Sequence, residues 1–320
     1  MNSSETSTVQ EKTQLATTQK SGQVISFKKV SFDDKEWIKE RLEESNYMGC
    51  EYCFSNIYLW GSAFEFEIAN HKGFLLIKAV VDGEVIHYFP AGSGNLHQVI
   101  EDLIIDSQLN GETLVFGNVT DEHTPQIKKY FPNTFEYMEI RDSSDYIYLR
   151  EKMVSLAGKK LHAKRNHINR FKDNPDWSFE LITKENITEC YGMSIVWTLK
   201  HFGGNTHDSD FCAMQKSFDY FDELDLMGGL IRQNGEVVAF TMGTFLNTNT
   251  FVIHIEKAFH EIQGAYPMIN QQFAMRLPEH IKYINREEDL GQEGLRRSKL
   301  SYYPEILLAK STATHIGEPL

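Results

Sequence analysis

Residues 251–274 read FVIHIEKAFHEIQGAYPMINQQFA, and this stretch decides the fold class. Its first half alternates with period two, placing Phe251, Ile253 and Ile255 on one face of a strand and His254, Glu256 and Ala258 on the other. Its second half is a turn with Gly264, which opens a helix near Ala265 to Arg276. Strand, glycine turn and helix in succession read as a unit of an α+β protein. A His and a Glu side by side on one face of a central strand are not a choice made for stability. They fit an acid/base pair, or Glu256 is the partner of Lys164 or Arg165. The helix start at Gly264 is also a ready anion site.

Outward from there the same grammar occurs twice. Each half gives helices, a meander of strands broken by NHKG, VDGE or QNGE, and then alternating helices and strands. Two α+β lobes of mixed sheet flanked by helices are expected, over 24–150 and 151–320, with the joint near Leu149 to Gly158 and the active site in the second. Residues 1–23, rich in Ser, Thr, Gln, Lys and Glu, read as a disordered tail without the apolar core of a signal peptide. With 41% hydrophobic and 12% aromatic residues, the 320-residue chain is globular. Its longest apolar run, Phe74 to Val81, is a buried strand, far short of the roughly 20 residues of a membrane helix. A cytoplasmic location is expected. Four cysteines give no disulfide framework. Cys50 and Cys53 form a C-x-x-C pair, but with no second pair for zinc and no thioredoxin-like setting they read as buried thiols. No metal site is expected. The formal net charge of −13 argues against a general nucleic-acid coat while leaving room for a local basic pocket.

Two segments write such a pocket. In GKKLHAKRNHINRF (Gly158 to Phe171), helical spacing puts Lys164 and Arg165 on the packing stripe of Leu161, Ile168 and Phe171. A cation there must meet a carboxylate or a bound anion. In INREEDLGQEGLRRSKLSYYP (Ile284 to Pro304), Arg296, Lys299 and Tyr303 lie in the arc between Leu295 and Leu300. Asp289, with Gln292, fits a helix cap, which leaves Glu287 and Glu288 unexplained. A self-compensating network and a pocket for an anionic or zwitterionic substrate both fit this block.

Acyl-CoA-binding enzymes of the GNAT type hold pyrophosphate on a Gln/Arg-x-x-Gly-x-Gly/Ala loop. Here Glu261, Gly264 and Tyr266 fill that frame, and an acid and a ring at its ends disfavour CoA, so no cofactor is expected. With CEYCFSNIYLW, the three segments above resemble the family of proteins similar to the C-terminal domain of phosphatidylglycerol lysyltransferase. The resemblance covers about Phe27 to Lys310. It implies a tandem GNAT-like fold and transfer of an aminoacyl group from aminoacyl-tRNA, as in the similar Fem-type transferases. It carries the family's basic helix onto Lys164 and Arg165, its His-x-Glu-Lys strand onto His254, Glu256 and Lys257, and its terminal block onto Arg286 through Lys299. The implied partners are the acceptor end of aminoacyl-tRNA and a small-molecule or lipid acceptor. Which of His254 and Glu256 is the base stays open. The multi-span part of the lipid-modifying enzymes is not found in this sequence, which weakens the lipid acceptor more than the donor. A CoA-dependent N-acyltransferase and a non-catalytic anion- or partner-binding module are the alternatives.

Overall fold

Two mixed sheets form: one takes all its strands from the continuous stretch 145–308, while the other joins strands within 28–139 to a last strand at Ser311–His315. The computed structural model describes residues 24–202 and 209–318; the segment expected as a disordered tail lies outside the described residues. In chain order, the first part supplies strands β1 (Lys28–Lys29), β2 (Glu67–His71), β3 (Phe74–Val81), β4 (Glu84–Tyr88), β5 (Ala91–Gly92), β6 (Val115–Val119) and β7 (Phe135–Glu139). Its helices are α1 (Lys35–Ser45), α2 (Phe54–Trp60), α3 (Leu96–Leu109) and α4 (Thr124–Tyr130). The remainder supplies β8 (Asp145–Leu149), β9 (Trp177–Leu181), β10 (Met227–Gln233), β11 (Glu236–Asn247), β12 (Thr250–Ala258), β13 (Tyr283–Asn285), β14 (Ile306–Leu308) and β15 (Ser311–His315). Among these run α5 (Arg150–Ser155), α6 (His162–Lys172), α7 (Ile187–Phe202), α8 (Ser209–Asp219), α9 (Ala265–Arg276) and α10 (Glu293–Leu300).

The hairpins close as the turn residues dictate. Asp82-Gly83 and Asn234-Gly235 have both residues at positive φ, the two-residue turn whose twist matches the strands. The first sheet runs β1-β2-β3-β4-β6-β15-β7, with β5 on β3, and the second runs β14-β8-β13-β12-β11-β10-β9. Among the described residues each holds one parallel pair, β4–β6 in the first and β12–β13 in the second.

A split at residue 150 does not follow these sheets. β8 pairs with β13 and β14 in the second sheet, while β15 crosses back to lie between β6 and β7 in the first. β15 carries no apolar alternation, only the sequence STATH, so nothing in its pattern marks it as an inner strand. One core packs against the first sheet around Ile57, Leu75, Ile100 and Phe116. In the second lobe, Phe251 and Ile253 join a core with α9 residues Met268 and Phe273, and Ile255 joins a separate one with Trp197 and Phe211 of α7 and α8.

That division overturns the simple alternation expected for β12. The register against β11 slips between Ile253 and Ile255, which pair with the consecutive residues Gly243 and Met242. His254 is the extra residue of a β-bulge. Ile253 and Ile255 therefore end in different cores, and His254 and Glu256 do not share one face.

Candidate active site

β12 and β13 stay paired only from Thr250↔Tyr283 to Val252↔Asn285. β12 runs on to Ala258, while the segment after β13 turns away through Glu287 and Leu290, both in the left-handed region. Parallel strands that part leave one strand edge without its ladder, a natural place for a ligand. Two polar stations flank this gap, one for each direction in which the bulge sends its side chains.

At the first station His254 is buried between the lobes. Its Nδ1 lies 2.8 Å from Glu287 Oε1, and its Nε2 lies 2.8 Å from Ser55 Oγ and 3.8 Å from Cys53 Sγ. Burial opposes the imidazolium, but Cys53 and the Glu287 carboxylate favour it, and the net effect raises its pKa to about 10. At neutral pH both ring nitrogens therefore carry protons, with Nδ1 donating to Glu287 and Nε2 to Ser55. His254 holds a proton to give.

At the second station, on the α9 side, Glu256 Oε1 accepts from Arg286 Nη2 at 2.7 Å and from Asn270 Nδ2 at 2.9 Å. The Arg286 guanidinium lies over the rings of Tyr148 and Tyr302, at 5.7 and 5.3 Å from their centroids. The Lys164 ammonium lies 4.0 Å from the Tyr302 centroid, and among the described residues no carboxylate pairs with it. Burial and the nearby Arg286 charge lower the Lys164 pKa to about 8.

The other expected site residues divide sharply. Lys299 is buried and donates to the carbonyls of Arg286 (2.6 Å), Glu287 (3.2 Å) and Glu288, which pins the segment that sends Arg286 to one station and Glu287 to the other. Arg165 is absorbed by the carbonyls of Leu156 and Gly158 (2.8 Å), where it ties α6 to the turn before it. It also lines an open groove of about 250 Å³ with His162, Lys172 and Gln271, away from both stations. Arg296 does not share a buried arc with the leucines: it is bound by Asp289 at 2.7 and 2.8 Å and by Asp142 at 2.6 Å, while Leu295 and Leu300 are exposed. Asp289 does not cap α10, whose N-cap is Gln292; it accepts from Tyr146 Oη at 2.5 Å and from the Gly291 amide at 2.9 Å. Tyr303 is 47% exposed, and its neighbour Tyr302 faces the second station instead. Glu288 has a pKa raised to about 7 by burial first and by the Glu287 charge second, and its carboxylate lies 3.5 Å from Cys50 Sγ.

Sequence reasoning missed Ser55, Tyr302 and Lys310. The signal available was the C-x-x-C segment: its thiols are buried, as expected, yet they face ions and not only apolar neighbours. Cys50, Glu51 and Asp145 present ligand-type atoms within 4.8 Å of one another. The Lys310 ammonium sits among them, 2.7 Å from Glu51 Oε2 and 2.7 Å from Asp145 Oδ1, so the cation of this cluster is a lysine of the chain itself.

The GNAT-type phosphate loop is covered. Gly264 starts α9 at φ 90°, and a Cβ there would lie 2.1 Å from the His167 carbonyl oxygen of α6. Glu261 pairs with Lys200, and Tyr266 is half-buried.

A family model for the C-terminal part of phosphatidylglycerol lysyltransferase matches residues 42–314, nearly all of both lobes. The chain belongs to that family. Among solved structures, a conserved protein of unknown function from Bacteroides thetaiotaomicron is 37% identical, with a TM-score of 0.86 over 91% of this chain and 99% of that one. L-PGS from Bacillus licheniformis is 17% identical, with a TM-score of 0.62 over 90% and 93% of the two chains. A tandem GNAT protein from the clavulanic acid biosynthesis pathway shares the fold at 9% identity, TM-score 0.50, over 92% and 99%. This chain thus shares a fold of two GNAT-like lobes. The chain also matches an uncharacterised protein of Mycoplasmoides gallisepticum, 21% identical over 170 residues, which is 52% of this chain and 55% of that relative's length. No helix among the described residues is long and apolar enough to cross a membrane.

Proposed function

We propose that this chain transfers an aminoacyl group from aminoacyl-tRNA to a lipid or other amine- or hydroxyl-bearing acceptor in the cytoplasm. One observation carries the reading: beside the gap that also holds a protonated His254, two cations, the half-buried Lys164 and the largely buried Arg286, stand with a single carboxylate, Glu256, which pairs with Arg286. An aminoacyl ester is already activated, so positioning and modest proton transfer suffice. The acceptor's nitrogen or oxygen adds to the ester carbonyl and loses its proton. The ribose oxygen leaves and takes one up. His254, held by Glu287 and relayed through Ser55, suits the donor role. Glu288, poised near neutrality by its burial, suits the base better than Glu256, which is occupied by Arg286 and Asn270. Lys164 and Arg286 supply positive charge for the phosphates of the donor.

Family membership supports the donor class. The covered loop at Gly264 counts against a CoA-dependent reading, since α6 backbone lies where a pyrophosphate would approach. Incubation with labelled aminoacyl-tRNAs and a cell extract tests the proposal. The expected result is label moving from tRNA to an extractable acceptor. Label that leaves no faster than by spontaneous hydrolysis refutes it.

A further inference from the structure

We propose that Lys164, Arg286 and the Tyr302 hydroxyl form a binding site for a phosphodiester monoanion. The site deepens the transfer reading, because a nucleic-acid donor and a phospholipid acceptor both carry that group. Its basis is a set of donors with nothing to donate to. Among the described residues, the hydroxyl of Tyr302, a residue only 4% exposed, has no partner, and neither has the buried Arg286 Nη1. Lys164 stands over the Tyr302 ring at 4.0 Å without a carboxylate among the described residues. Buried donors are nearly always filled, so the two on Tyr302 and Arg286, with the half-buried Lys164 over the same ring, mark a missing acceptor.

Cation–π contact alone does not account for this arrangement. The Tyr302 ring face attracts both cations, yet it leaves the Tyr302 O–H and the Arg286 Nη1 N–H groups empty. A single water has two lone pairs for three donors and brings no charge. Two cations against the one carboxylate of Glu256 leave a single positive charge, which a monoanion cancels. The donors come from three separate places, α6, the segment after β13 and the turn after α10. Convergence from three directions suits a tetrahedral oxyanion. A planar carboxylate would take both arms of a guanidinium in its own plane, and one arm of Arg286 is already given to Glu256.

Calorimetric titration of the whole chain with dimethyl phosphate, the trinucleotide CCA and glycerophosphoglycerol tests the site without any transfer taking place. The wild-type protein is expected to bind dimethyl phosphate and at least one larger diester in competition with it. Lys164→Met weakens binding about tenfold or more, as loss of a charged hydrogen bond requires, and Tyr302→Phe about threefold. Tyr302→Phe keeps the ring and its cation contacts, so loss of fold does not confuse the result. Preference for CCA assigns the site to the RNA donor, and preference for glycerophosphoglycerol assigns it to a lipid headgroup. The proposal falls if no diester binds at millimolar concentration, or if Lys164→Met binds as well as wild type. Because no aminoacyl group is present, failure of the transfer reading leaves a positive result standing.

Discussion

His254 keeps its proton well above the pH at which an ordinary imidazole gives it up, and its neighbours explain why. Glu287 and Cys53 outweigh burial. Replacing Glu287 with Gln removes the carboxylate at 2.8 Å, and the His254 imidazole should then titrate at least one unit lower, read by NMR of the ring protons. An unchanged titration would mean that the pair is not what holds the proton. A folded pKa raised above 6.5 gives stability that is present below that pH and lost as pH rises through about 10. His87 and His123 work in the other direction. Both are buried without charge, with folded pKa values lowered by burial to about 4 and about 3. The unfolded chain binds their protons from 6.5 downward, so stability falls as pH drops from about 6.5 through 4, by on the order of 3 kcal/mol each. Denaturant melts across that range should show the loss, and His123→Gln should blunt it. A flat profile between pH 6.5 and 4 contradicts the assignment of these two residues as neutral core groups.

The helix α6 and the bulge of β12 show what was and was not legible before the structure. Helical spacing correctly turned Lys164 inward with Leu161, Ile168 and Phe171, because periodicity is a local property of one element. It also put Arg165 on the stripe, but could not say that a turn's carbonyls would absorb it. Alternation failed at His254, since a bulge arises from pairing with β11 and leaves no mark in the strand's own residues. Tyr303 in place of Tyr302 is a one-residue error of the same kind: α10 ends at Leu300, so helical spacing no longer applies beyond it. At Gly264 the outcome is testable. Alanine there would be strained at φ 90° and would press on the His167 carbonyl of α6. Gly264→Ala is expected to lower stability by about 2 kcal/mol or more in chemical denaturation. A neutral effect would mean that α6 is free to move away and that the loop it covers can open.

At the scale of the whole molecule, the two lobes are stitched by a chain that crosses between them and by the ions at the crossing. Lys310 lies between β14 in the second sheet and β15 in the first. Its ammonium joins Glu51 of the first lobe to Asp145 of β8. The topology of such a crossing depends on pairing between strands nearly 200 residues apart, which no local pattern records. Lys310→Met leaves two buried carboxylates without their cation, and the expected cost is about 3–5 kcal/mol. Since Glu51 lies in the first lobe and Asp145 in a strand of the second sheet, the loss should appear as one transition reported equally by tryptophans in both lobes, Trp60 and Trp197. Two separated transitions would show that the lobes fold independently and that the stitch is incidental.

In the proposed transfer, His254 gives its proton to a leaving ribose oxygen beside cations that hold an anionic donor. The most direct test is the single-turnover rate at which labelled aminoacyl groups leave tRNA for an acceptor, compared between wild type and His254→Gln. The expected result is acceptor-dependent discharge by wild type and a rate about a hundredfold slower in the variant, with diester binding retained at Lys164 and Arg286. Discharge by His254→Gln at the wild-type rate, or none by either protein, would contradict it.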